Sequence, residues 1–256
     1  MWHLVQKNIG VAFFSLELPS SQIFGRLWAL YSERSPNEWR LAKISEEEQF
    51  LFYQKIEQLP LFIEDKSSLS LDEFRAEATY LVKEKGVQLM IIDYLQLMSG
   101  FKGIRYANRE AEVSAISREI KAIAKDLEVP IIGLAQLSRA VETRGGSKRP
   151  QLSDLRESGA IEQDADVVGF CYRPEYYNIV EAEDGSSLQG IGEVIIAKHR
   201  EGALDSVKCY FKGTCMKWAN YDDWDDSYEN ASIGNFFRQK NEEMGQRNID
   251  DVFNDF

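Results

Sequence analysis

Cysteine and histidine are scarce in this 256-residue chain, which has three Cys (171, 209, 215) and two His (3, 199). No two cysteines form a CxxC pair, and the histidines build no metal cluster. That excludes a structural zinc site and a disulfide framework, and it reads as a reduced, cytoplasmic protein. No apolar run approaches the roughly 20 residues that cross a bilayer, and MWHLVQKNIG at the start holds no signal-peptide core. No membrane partner is therefore expected. The chain shows no internal repeat. Glycine is never followed by lysine, so the phosphate-cradling pattern GxxxxGK[ST] does not occur in these residues.

What is present is an ordinary globular composition, 44% hydrophobic and 28% charged. The net charge of −12 argues against nucleic acid as a partner until its distribution is considered. Residues 221–256 hold ten Asp/Glu against three Lys/Arg, and read as an acidic, disordered or loosely attached tail behind a domain of residues 1–220. Within the body, Arg139, Arg144, Lys148, Arg149 and Arg156 face only Glu142 and Asp154, a local cationic segment.

Hydrophobic periodicity predicts strands at 11–15, 61–65, 89–93, 129–136, 166–172, 192–198 and 206–211. Helices are predicted at 20–33, capped by Ser20 or Ser21, at 45–59 behind the capping pattern Ser45-x-x-Glu48, at 70–86 with a Gly stop, and at 110–128. MWHLVQKNIG reads as a helix end stopped by Gly10. The first part alternates strand and helix and the last part is mostly strand. This pattern predicts an α/β core with a mostly parallel sheet and an antiparallel extension at one edge.

Open α/β sheets place ligands beyond the carboxyl ends of their strands. Three strands here run into polar residues: Glu17 after VAFFSL, Asp93 after LMII, and Gln136 after IIGLA. A single such residue often does no more than cap the next helix. Three together, one an aspartate closing an aliphatic run that would be costly to desolvate unliganded, favour a phosphate–metal site.

The stretches FFSLELPSSQ, LMIIDYLQLM, LAQLSRAVETR, SDLRESGAIEQDAD and IIAKHREG, in that order, resemble the C-terminal RecA-like ATPase domain of the bacterial replicative helicase family DnaB. The likeness covers about residues 10–220. It implies a three-layer RecA-like domain, working in a hexameric ring that moves on single-stranded DNA and unwinds the duplex during replication by hydrolysing ATP with Mg²⁺. By this resemblance Glu17 is the general base, and Asp93 is the Walker B carboxylate that holds Mg²⁺ through water. Gln136 senses the γ-phosphate, and Lys198 and Arg200 act as cationic fingers in a neighbouring subunit's site. Arg156, Glu157 and Gly159 lie on the loop that touches the DNA backbone, with Gly145, Gly146 and Gly159 giving it mobility. Primase and a helicase loader are the implied further partners.

The phosphate cradle and the family's N-terminal helical domain do not occur in these 256 residues. That departure reads as a truncated or split gene product, or a mis-called start, and implies that this chain alone is inactive on ATP. The alternative is a non-catalytic RecA-like module that binds DNA or co-assembles with full-length rings.

Overall fold

The structure, a computed structural model, describes residues 1–145 and 148–221; the side chains of Arg156, Glu157 and Ser158 are not described. Met1–Trp218 form one compact unit. The acidic tail expected at 221–256 lies, from residue 222 on, outside the described residues, as does Gly146.

Helix α1 (Trp2–Val5) precedes strand β1 (Val11–Ser15). The helix ends five residues before Gly10, which is therefore not its stop. Gly10 serves close packing instead: a Cβ there would lie 2.7 Å from the Gly86 carbonyl oxygen. Then follow α2 (Ser20–Ser32), α3 (Pro36–Arg40), α4 (Glu46–Glu57), β2 (Leu61–Glu64), β3 (Leu69–Ser70), α5 (Leu71–Lys85) and β4 (Leu89–Asp93). Neither Ser20 nor Ser21 caps α2. Pro19 is its N-cap residue, and the free Ser20 N–H donates to Asp65 Oδ2 at 2.7 Å, from beyond the end of β2. Ser45 caps α4 by accepting the Glu48 N–H, while the Glu48 carboxylate turns to Arg34 at 2.9 Å. A reciprocal capping box opens α5 between Ser70 and Glu73, and Gly86 closes that helix at φ 67°, a conformation that favours glycine.

β1 and β4 pair in parallel at the centre of a four-stranded sheet ordered β2-β1-β4-β6, completed after β5 (Met98–Ser99) and α6 (Arg109–Leu127) by β6 (Ile131–Gly133). Alternate residues leave opposite faces of a strand. Val11, Phe13, Leu89 and Ile91 pack with Trp28 of α2 and Phe52 of α4. Ala12, Phe14, Met90 and Ile92 pack with Phe74 of α5 and with Ile116 and Ile123 of α6. Two apolar clusters on the two faces of one sheet are the expected three layers.

The 129–136 run departs from expectation. β6 is three residues long, and Ile132 and Leu134 are 48% and 42% exposed. Leu134 N–H still donates to Ile92 O at 2.9 Å, but the chain then leaves the sheet toward α7 (Ala140–Thr143). Gln136 thus stands three residues past the strand. Two short 3₁₀ turns over Leu152–Ser158, separated by a kink at Leu155 (φ −80°, ψ 20°), follow and run into α8 (Gly159–Asp164), so Arg156 and Glu157 lie in a turn of helix. Gly159 has ordinary helical torsions, φ −54° and ψ −26°, which any residue adopts and which lend it no special mobility.

The late strands are β7 (Val167–Tyr172), β8 (Ile191–His199), β9 (Asp205–Lys212) and β10 (Lys217–Asn220). They form a sheet of their own, ordered β10-β9-β8-β7, rather than an extension hydrogen-bonded to the parallel edge. β7–β8 and β8–β9 are antiparallel. Val168 and Phe170 of this sheet cluster with Leu155 and are backed by Ala135, Leu137 and Ile195, so its inner face covers the chain that leaves β6.

Glu33, just past α2, accepts from Lys212 at 2.9 Å and from Lys217 at 2.6 Å. The two ammonium groups hold its carboxyl at about 2, below the ordinary 4.5. A depressed carboxyl contributes stability above its unfolded pKa that is lost as pH falls toward the folded value. Because the site is exposed, Glu33→Gln is expected to cost only about 0.5–1 kcal/mol at pH 7. The gap from wild type should shrink below pH 4.5 and close near pH 2, as read from urea unfolding. A pH-independent gap would exclude the ion pair as its cause.

Candidate active site at the strand ends

Three hydrogen bonds set the turn that carries Glu17. Leu16 N–H donates to Asp93 O (2.8 Å), extending the β1–β4 ladder by one rung. The buried Ser15 hydroxyl donates to Leu18 O (2.6 Å). The Ser20 amide is held by Asp65. Glu17 is therefore exposed at the end of β1, beside the strand whose last residue, Asp93, pairs with Ser15.

Asp93 is half-buried, and its carboxyl is pushed above the ordinary carboxylate range, first by burial, then by the charge of Glu17. Arg26 of α2 pulls the other way. Among the described residues neither carboxylate has a hydrogen-bonded or ion-paired partner, and no cluster of three His, Cys, Asp or Glu has metal-ligand geometry. Two mutually repelling, unpartnered carboxylates at strand ends fit a divalent ion that takes its remaining ligands from water and phosphate. The pattern GxxxxGK[ST], which would supply a cradle for those phosphates, does not occur in the 256 residues.

Gln136 is brought to the same edge by residues that the sequence pattern did not single out. The Gln96 side chain donates through Nε2 to Gln136 O and accepts the Gln136 N–H through Oε1, both at 3.2 Å. Arg109, at the start of α6, fixes the Gln96 segment by donating to Gln96 O at 2.7 Å and Met98 O at 2.9 Å. A cavity of about 140 Å³ opens there, lined by Tyr94, Gln96, Gln136, Ser138, Asp154 and Leu155 among others. Its far wall belongs to the cationic segment. Asp154 is buried, pairs with Arg144, and receives the Gln151 amide (2.8 Å); Ser138 N–H donates to Asp154 O at 2.9 Å. Lys148 and Arg149 are likewise engaged within the domain, with the Glu142 carbonyl and with Glu193. So three of the five cations in this segment already serve the fold.

Lys198 and Arg200 sit at the end of β8, apart from the carboxylates. Lys198 Nζ donates to the carbonyls of Glu162 and Gln163, and Arg200 Nη2 donates to Gln163 O at 2.9 Å. The groups that act on Asp93 are Glu17 and Arg26, neither of the two late cations. The structure thus brings Glu17, Asp93 and Gln136 to one sheet edge and puts Lys198 with Arg200 at another place.

A parallel sheet between two helical layers, with a carboxylate pair and a glutamine past its carboxyl ends, defines a RecA-like ATPase domain. The sequence profile of the DnaB-like helicase C-terminal domain matches residues 2–220. The replicative DNA helicase DnaB of Geobacillus stearothermophilus is 41% identical over 216 residues, 83% of this chain and 46% of that protein. The replicative DNA helicase DnaC of Bacillus subtilis is 41% identical over 213 residues, 82% of this chain and 45% of that protein. Among solved structures, a DnaB-like replicative helicase studied with primase superposes with a TM-score of 0.74 at 34% identity, covering 84% of this chain and 53% of that one. The chain belongs to the DnaB-like helicase C-terminal domain family, and it spans about half the length of the curated relatives it matches.

Asp93 supplies a test of the site that needs no ligand. A carboxyl whose folded pKa is raised favours folding below its unfolded pKa and loses that contribution as pH rises through the folded value. Asp93→Asn is therefore expected to raise the melting temperature at pH 8, with the gain fading by about pH 3.5 as the wild-type group protonates. A lower melting temperature at pH 8 would show that the carboxylate is partnered.

Proposed function

We propose that this chain is the ATP-hydrolysing motor domain of a replicative DNA helicase that works as a hexameric ring on single-stranded DNA. The observation that supports the reading is the split just described, with Glu17, Asp93 and Gln136 on one edge and Lys198 with Arg200 elsewhere. A ring needs that arrangement, because each subunit then completes its neighbour's site.

Glu17, exposed and held by a braced turn, orients the attacking water and accepts its proton. Asp93 would hold Mg²⁺, which would supply positive charge against the phosphates. Gln136, on its Gln96 tether, contacts the γ-phosphate. Lys198 and Arg200 stabilise the transferring phosphoryl group of the adjacent subunit, the role of a finger supplied in trans. Arg156, Glu157 and Gly159 contact the DNA backbone, which suits tracking without reading sequence. Co-assembly with a full-length helicase, and contacts with primase and a helicase loader, belong to the same reading.

The test uses these 256 residues preceded by a GxxxxGK[ST] cradle. Glu17→Gln is expected to keep nucleotide binding and to lower turnover by about 10²–10⁴-fold. Arg200→Ala should lower it by about 10³–10⁵-fold with binding in its own subunit intact. Mixing the two dead variants should restore partial turnover, because some interfaces then join a wild-type Glu17 to a neighbour's wild-type Arg200. No recovery in rings proven to be mixed would exclude the trans role. DNA binding without any turnover in the unmutated protein would favour the non-catalytic module.

A further inference from the structure

The two late cations do not project freely; they are docked. Their acceptors, Glu162 O and Gln163 O, belong to the last turn of α8, where helix carbonyls lack intrahelical partners and the dipole is negative. Arg200 is held twice more, by its own N–H to Asp166 O (2.9 Å) and by Nη1 to Asp166 Oδ1 (3.4 Å). Asp166 is itself shared, since Lys121 of α6 pairs with its other oxygen. The carboxyl of Asp166 is held below its ordinary value by Lys121 first, with Arg200 and Lys198 adding to it.

The other end of α8 is Gly159, which follows directly on the 3₁₀ segment Leu152–Ser158. Six residues of helix span about 9 Å. Ile161 is the buried residue of α8, seated in the cluster under α5 and α6. Ser117 of α6 also donates to Ala160 O at 3.5 Å, so α8 rests on α6 at its first turn and through Ile161, while Gln163 near its carboxyl end is exposed.

We propose that α8 links DNA contact to the finger cations: its carboxyl end and Asp166 dock Lys198 and Arg200, and a strand bound at residues 156–159 tilts the helix and releases them toward the neighbouring subunit. The inference rests on the reading of residues 156–159 as the DNA contact and of Lys198 and Arg200 as trans-acting groups. Asp166 is then a positioning residue, and Lys121 lowers the cost of release, because the carboxylate keeps one counter-charge when Arg200 leaves. Arg200 and Asp166 are 49% and 55% exposed, so their pair is weak enough to open in every cycle.

The test uses the 256-residue chain itself, titrated with oligo-dT while the Arg200 Nε–H, the Lys198 and Lys121 ammonium groups and the backbone amides of 152–166 are followed by NMR. The amides of 156–159 and the side-chain signals of Arg200 and Lys198 should move with one midpoint, while Lys121 stays paired. Asp166→Asn should lower the DNA concentration needed for release by about two- to fivefold, because Gln163 O and the Asp166 carbonyl still hold Arg200, and Asp166→Glu should restore the original midpoint. Lys121→Ala should act oppositely, raising the DNA concentration needed for release by about two- to fivefold. Amide signals of β1 and β4 report folding in each variant, and the Lys121 variant stands alone if Asp166→Asn does not fold. DNA-induced shifts at 156–159 with Arg200 and Lys198 unmoved would overturn the link and leave the DNA reading standing. No response to DNA anywhere would overturn both.

Discussion

The β1–β4 pairing is the constraint on which the rest depends. Both strands are apolar on both faces, so two helical layers are needed to cover them and nothing polar is tolerated along their length. Side chains with charge or amide groups stand at the strand ends, and at the carboxyl end the register sets Ser15 opposite Asp93 and brings Glu17 alongside. The raised Asp93 carboxyl is the cost of stopping a charge at that boundary. Asp65 makes the same boundary from β2, spending its charge on the first free amide of α2.

The other parts join this core by short polar ties as well as by packing. Ser138 is tied to Asp154, Asp154 to Arg144 and the Gln151 amide, and the 3₁₀ turn that follows feeds α8. The antiparallel sheet closes over these ties with Phe170, Val168 and Ile195. Its exposed outer end is pinned to α2 through Glu33 and two lysines. These segments thus owe part of their hold to hydrogen bonds and ion pairs, while the sheet is held by buried apolar surface.

Periodicity was enough to read β1, β2, β4 and β7–β9 and helices α2, α4, α5 and α6, because each carries its own apolar repeat, and for α4 and α5 a cap or a glycine stop marks an end. It misplaced β6, since VPIIGLAQ is as apolar as a buried strand and only tertiary context shows that it lies at an edge. It did not find α3 or β10, whose four or five residues are too short for a period. Glu17, Asp93 and Gln136 were legible because each interrupts an aliphatic run. Gln96 sat inside the same quoted stretch, between Leu95 and Leu97, but its role depends on the backbone of Gln136, 40 residues away. Asp166 looked like an ordinary residue before a strand; its value comes from Lys121 and Arg200, which only the fold brings together.

The Gln96 amide has a consequence for how the sheet ends. By bonding both the N–H and the C=O of Gln136, it reproduces with a side chain the rung that another strand would supply. A main-chain rung is fixed by peptide bonds on either side, whereas this one swings on rotatable χ angles. Each of these two hydrogen bonds is worth about 0.5–1.5 kcal/mol. The parallel sheet therefore finishes in two kinds of rung: main-chain rungs through Leu134, which pairs with both Ile92 and Leu95, and a side-chain rung at Gln136.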